Sequence, residues 1–166
     1  MQVPVDDVET LILSHWHSDH SGGMLAFLSM RSAGARVCTV DLHPDRPDAR
    51  GIAVPPTFDT VIGRLPDDPT FEQIECAGGR VRTSRDGHTI AGGTVYVSGE
   101  IPRVTPFEGG LLGGMRFREG HGWTSEPVRF RFVSRAFLSV CVDARLLVDS
   151  ILWTSVMRRL TLLARG

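Results

Sequence analysis

The stretch that decides the fold is Ser14-His15-Trp16-His17-Ser18-Asp19-His20-Ser21-Gly22-Gly23. Three imidazoles and one carboxylate fall within six positions, a density that no local structural need explains. The donors are borderline nitrogen and hard oxygen, the set that suits zinc and tolerates manganese or iron. Just ahead, the apolar run Val8 to Leu13 reads as a buried strand. In extended backbone, residues two apart point the same way, so His15 and His17 leave the strand end on one side. Ser18 starts a turn that swings Asp19 and His20 to the other side. There Ser21-Gly22-Gly23 lets the backbone pack closely before a helix begins. Two divalent ions held roughly 3.5 to 4 Å apart by such a loop lower the pKa of a shared water and polarise a substrate oxygen. The competing reading, surface histidines of a turn, leaves the preceding strand and following helix without a purpose.

His15-Trp16-His17-Ser18-Asp19-His20 resembles, residue for residue, the His-x-His-x-Asp-His signature of the metallo-β-lactamase superfamily. A second stretch, Val97-Ser98-Gly99-Glu100-Ile101-Pro102-Arg103 followed by Phe107-Glu108, looks like the Gly-Glu-Ile-Pro-Arg segment of a branch related to dihydropterin-aminobenzene-phosphate synthases. With Leu42-His43-Pro44 between them, the resemblance covers about residues 8 to 126. It implies an α/β protein with the layered αββα fold, of which the first half is present. It implies two divalent metal ions, most simply zinc with manganese, iron or magnesium as substitutes. His15, His17, Asp19 and His20 are then the metal ligands, and Asp19 is also the catalytic candidate. His43, Glu100 and Arg103 are the substrate-binding candidates. The activity implied is metal-dependent hydrolysis of a small molecule by activated water. The alternatives are a transferase of the dihydropterin synthase kind, or an inactive fragment lacking later ligands.

Outward from these motifs, Ser21 to Ala33 is expected to be a helix buried through Met24, Leu25, Phe27 and Leu28, and stopped at Gly34. Arg36 to Val40 is the next strand and carries Asp41, Leu42 and His43 to the sheet edge of the metal loop. His43 either fixes the His-Pro turn, the favoured reading, or contacts substrate. Asp45 to Pro69 is rich in Pro, Asp, Arg and Gly without periodicity and is expected to be a long surface excursion. Asp68 to Ala77 is expected to be a short helix, and Arg80 to Thr83 and Thr94 to Val97 to be strands. His88, in Asp86-Gly87-His88-Thr89, resembles a ligand turn of other branches, but the Gly-Glu-Ile-Pro-Arg segment that follows sets a different register, so a loop histidine is expected. Glu100 and Arg103 either bind polar substrate groups or lock each other as an ion pair. Gly109 to Gly122 is glycine-rich and expected to be mobile.

The chain of 166 residues has a net charge of −1, distributed unevenly. Residues 1 to 126 hold 11 Arg and 17 acidic residues, whereas 127 to 166 hold 7 Arg and 2 acidic residues. All 18 basic residues are Arg, which points to coding-sequence composition more than to a selected arginine surface. The acidic body argues against nucleic acid as a partner and leaves a small-molecule substrate. Cys38, Cys76 and Cys141 are odd in number and widely spaced, so neither a disulfide framework nor a thiolate zinc site is indicated. With no apolar run of spanning length, a soluble, cytoplasmic, membrane-free protein is expected. Composition, charge sign and motif register all change near residue 127. The expectation is therefore a partial domain over 1 to 127, short at both ends relative to the resembled family. Residues 128 to 166 are expected to be a divergent Arg-rich tail with little contact to the body, either a divergent ending or, the favoured reading, a mistranslated extension from a retained intron or frameshift.

Overall fold

The computed structural model describes residues 3–102, 104, 110–126, 131–135 and 146–148. Strand β1 (Thr10–Ile12) is central to a parallel sheet that also holds β2 (Cys38–Leu42), β5 (Gly79–Thr83) and β11 (Leu146–Val148), in the order β11-β1-β2-β5. Two faces of β1 are buried, as expected of a parallel strand that reads as a continuous apolar run. Leu11 and Leu13 face the helices α2 (Met24–Ser29) and α3 (Phe71–Cys76), joining Val8, Trp16, Met24, Leu28, Val40, Leu42 and Ile74 in the main core. Ile12 points the other way, packing with Ile90, Val95 and Val97. Those residues come from a second, antiparallel sheet of β6 (His88–Ile90), β7 (Val95–Glu100) and β10 (Arg131–Arg135), in the order β10-β7-β6. Helices, parallel sheet and antiparallel sheet thus form three successive layers, and the α/β class expected from the sequence is what the chain adopts.

A third sheet differs from expectation. Asp45 to Pro69 is not an irregular excursion but contributes β3 (Ala49–Ala53) and β4 (Val61–Arg64), and the glycine-rich 109–122 region contributes β8 (Gly114–Arg118), followed by β9 (Gly122–Ser125). They pair antiparallel in the order β4-β3-β8-β9. Sequence periodicity missed them because Gly and Arg interrupt any apolar alternation in these strands; Gly51 is where β3 and β4 approach closely, and a Cβ there would meet Val61 Cγ1 at 2.7 Å and Gly63 O at 2.9 Å. The helix expected from Ser21 to Ala33 is shortened to α2, and a separate turn, α1 (Ser18–Ser21), precedes it. Helix α3 is shorter than expected and starts at a capping box, in which Thr70 Oγ1 accepts from Gln73 N and Gln73 Oε1 from Thr70 N.

Within the tail, the described segments do not stand apart from the body. Strand β10 pairs antiparallel with β7, placing Arg131 opposite Glu100 and Arg135 opposite Val95. Strand β11 pairs in parallel with β1, Thr10 opposite Leu146. This differs from the expected lack of contact, because β1 and β7 each offer an open ladder edge whose N–H and C=O groups recruit a further strand. Cys38 is buried and Cys76 exposed, both as free thiols, and Cys141 lies outside the described residues. Among the described residues no helix is long and apolar enough to cross a membrane.

Candidate metal centre

Strand β1 hands the chain to the histidine loop at its carboxyl end, where Leu13 N donates to Asp41 O across to β2. Trp16 then anchors the loop: its ring is buried against Phe71 and its Nε1 donates to His43 O at 2.8 Å. His17 is still extended (φ −141°, ψ 142°) and precedes α1, whose turn brings His20 N onto His17 O at 2.9 Å. That turn folds His20 back over the loop. Its ring centroid lies 4.1 Å from that of His15, closer than the 4.7 Å between His15 and His17. The expectation that His20 points away from His15 is therefore corrected. Asp19 does point outward, two-thirds exposed, with Oδ2 3.4 Å from His20 Nε2.

His15 is buried, and Ser14 Oγ lies 3.0 Å from its Nδ1. Burial, reinforced by the neighbouring charges of His20, His17 and Arg50, pushes its pKa down to about 3, against the opposing pull of Asp19. The ring is thus held neutral, the form in which imidazole ligates a metal.

Facing the loop is the third sheet. Arg50 on β3 lies directly opposite Arg116 on β8, and Arg116 opposite Thr124 on β9. Glu126, one residue past β9, continues the ladder by donating its N–H to Gly114 O. The alternation of strand side chains puts Arg50, Arg116 and Glu126 on one face. Asp68, nearly fully buried, accepts from Arg50 Nε at 2.9 Å and from Ser21 Oγ, tying this sheet to the residue after His20. Glu126 Oε2 reaches His17 Nε2 at 3.6 Å.

Among the described residues, four buried side-chain polar atoms lack a hydrogen-bond partner: His17 Nε2, Glu126 Oε2, Arg50 Nη2 and Arg116 Nε. Buried polar groups in folded proteins are nearly always partnered, so the facing pair His17 Nε2 and Glu126 Oε2 marks a site built for something else. The 3.6 Å between His17 and Glu126 is too long for a hydrogen bond. It is close to the ~3.4 Å between two ligands that each stand ~2.0 to 2.1 Å from one tetrahedral zinc. No group of three or more His, Cys, Asp or Glu among the described residues is itself arranged in ligating geometry. The donor chemistry nevertheless fits a divalent ion: clustered imidazoles, one of them with an unpartnered nitrogen aimed at an unpartnered carboxylate oxygen.

The substrate-binding candidates lie in a separate polar network. His43 is fully buried; its Nδ1 accepts from Asp45 N at 3.0 Å, which leaves the Nε2 proton to donate to Glu100 Oε2 at 3.0 Å. Burial lowers the pKa of His43, opposed by Glu100. Glu100 also meets Arg85 Nη1 at 3.2 Å. The resembled Gly-Glu pair thus has structural work: Gly99 takes φ +76°, and a Cβ there would strike Arg85 O at 2.5 Å. Arg103 lies outside the described residues. His88 Nε2 lies 2.8 Å from Asp41 Oδ2, and its Nδ1 2.9 Å from Asp86 O, so it links the second sheet to β2. His121, at an exposed turn, has Nδ1 3.4 Å from Glu119 O. Glu126, Arg50, Arg116 and Asp68 were not singled out by sequence. A lone acid between Ser125 and Pro127, and arginines in an aperiodic stretch, carry no local signal of convergence.

A family model described as the metallo-beta-lactamase superfamily matches residues 1–132. No curated protein and no solved structure matches the chain.

Proposed function

We propose a function from the premise that the chain belongs to the metallo-beta-lactamase superfamily: metal-dependent hydrolysis of a small-molecule substrate. The observation that carries this reading is the pair of buried, unpartnered atoms His17 Nε2 and Glu126 Oε2, facing each other at 3.6 Å beside two further imidazoles. His15, His17 and His20 would hold a divalent ion, zinc by the chemistry of the donors, with Glu126 supplying an oxygen. Asp19, beside His20 and open to solvent, would serve a second ion and the reacting water. When bound, such an ion lowers the pKa of a water ligand towards neutrality and polarises a substrate oxygen. The chain's own residues set the conditions: burial keeps His15 unprotonated, Trp16 fixes the loop, and Asp68 fixes the residue after His20 through Ser21.

The test is zinc titration of the whole chain and of two variants. Tight zinc binding, weakened at least tenfold by His17→Ala and by Glu126→Gln, is the expected result. Equal zinc affinity in wild type and both variants would overturn the reading. Turnover of p-nitrophenyl phosphate by the zinc-loaded chain in ¹⁸O-labelled water then reports the reaction class, since hydrolysis places solvent oxygen in the product.

A transferase of the dihydropterin synthase kind is the second reading. Its support is the resembled segment, of which Gly99 makes a left-handed turn against Arg85 and Glu100 holds buried His43. Product free of solvent oxygen separates this reading from hydrolysis.

A further inference from the structure

The third sheet carries two more unpartnered atoms, Arg50 Nη2 and Arg116 Nε, and both belong to arginines that are more than nine-tenths buried. Direct pairing of β3 with β8 sets Arg50 and Arg116 at opposed strand positions, on one face of the sheet. Like charges at opposed strand positions repel, and each is held by its own carboxylate. Arg50 donates through Nε to Asp68, while Arg116 donates through Nη1 and Nη2 to Asp45 at 2.8 and 2.9 Å. Arg118 also donates to Asp45, so three guanidiniums are anchored by two carboxylates. Glu126 shares this face, so its charges balance; what is left over is one N–H arm on each of the two buried guanidiniums. Asp68 ties Arg50 to Ser21, the residue after His20, and Glu126, on the same face, turns its Oε2 to His17.

Guanidinium N–H groups only donate, so what completes Arg50 and Arg116 must be an acceptor, and an anionic one makes the stronger, charge-assisted hydrogen bonds. A lysine in either place would fill its carboxylate contact and have no second arm to offer. We infer that Arg50 and Arg116 form an oxyanion subsite, which takes the phosphate or carboxylate group of the substrate beside the histidine cluster. The subsite's relation to the reacting centre rests on the proposed metal-dependent activity; its anion binding does not.

Inorganic phosphate is the probe, titrated by calorimetry into the whole chain in the presence of EDTA. Arg50→Lys and Arg116→Lys each keep a positive charge for Asp68 or Asp45 and remove the second arm. Phosphate affinity is expected to fall at least tenfold in each, with zinc titration unchanged. In wild-type protein, phosphate is expected to shift a side-chain Nε–H resonance of a buried arginine, which keeps the inference testable should a variant fail to fold. Displacement of phosphate by acetate at comparable concentration identifies a carboxylate subsite, and its failure a phosphate one. Wild-type phosphate affinity in both lysine variants, or no arginine resonance shift on saturation, would overturn the inference. So would phosphate binding that requires zinc and is lost in His17→Ala alone. Phosphate binding that survives while zinc titration fails would instead remove the metal reading and leave the subsite standing.

Discussion

Replacing Asp68 by Asn is the sharpest perturbation of this fold. Its carboxylate is 2% exposed and holds Arg50, itself 3% exposed, together with the hydroxyl of Ser21. Asn keeps the shape and removes the charge, so Arg50 is left as a buried cation without its counter-charge. Removing one partner of a buried ion pair costs roughly 3 to 5 kcal/mol. That is a large part of the total stability of a domain, typically about 5 to 15 kcal/mol. With a urea slope near 2 kcal/mol per M, the unfolding midpoint should fall by about 2 M. The double variant Arg50→Met with Asp68→Leu removes both charges and replaces them with apolar volume. It is expected to recover most of the loss, because the pair's own desolvation disappears with it. Ser21→Ala, which takes away one hydrogen bond to a charged acceptor, should cost about 1.5 to 3 kcal/mol. Chemical denaturation of the four proteins under one buffer measures all of these. A loss below about 1 kcal/mol in Asp68→Asn, or a double variant as unstable as that single one, would refute the argument that the pair is buried and mutually dependent.

Four further outcomes follow from the geometry. His88→Ala should lower stability by about 1 to 3 kcal/mol, since it takes the 2.8 Å partner from fully buried Asp41, yet leave zinc affinity unchanged; metal titration and melting of one variant check both halves. Acid should destabilise the fold through His43, which lies against Glu100, Arg85 and Asp45: burial depresses its folded pKa, so below about 6.5 the unfolded chain takes up a proton that the fold refuses. Stability present above that pH is lost as pH falls, by at most about 1.4 kcal/mol per unit from this group, and denaturation midpoints from pH 7.5 to 5.5 with His43→Gln as comparison should show it. Thr70→Ala should cost about 1 kcal/mol by opening the capping box of α3, and Gly51→Ala about 1 to 3 kcal/mol by driving a methyl into Val61 and Gly63; both are read from thermal unfolding.

The sequence by itself determined what local order can encode. Val8 to Leu13 followed by His-x-His-x-Asp-His announced a strand entering a ligand loop, and the structure has β1 there, with the three imidazoles gathered at its end. The spacing also located β2, β5, β7 and α3 to within a few residues, because each is a short apolar element bounded by Gly, Pro or polar residues. Only tertiary structure decided the rest. The fold-back of His20 depends on α1 starting immediately after an extended His17, and no pattern in the loop fixes that turn. The third sheet is built from 49–64 and 114–125, two stretches without periodicity whose pairing is non-local. Arg50, Arg116 and Glu126 share one face, and Glu126 reaches His17, only because that pairing sets them in one row. Charge composition gave them no distinction, since all 18 basic residues are arginine. Their chemistry lies in which carboxylate each one faces and which atom is left over, and those are properties of strand register across 66 residues of chain rather than of any window of sequence.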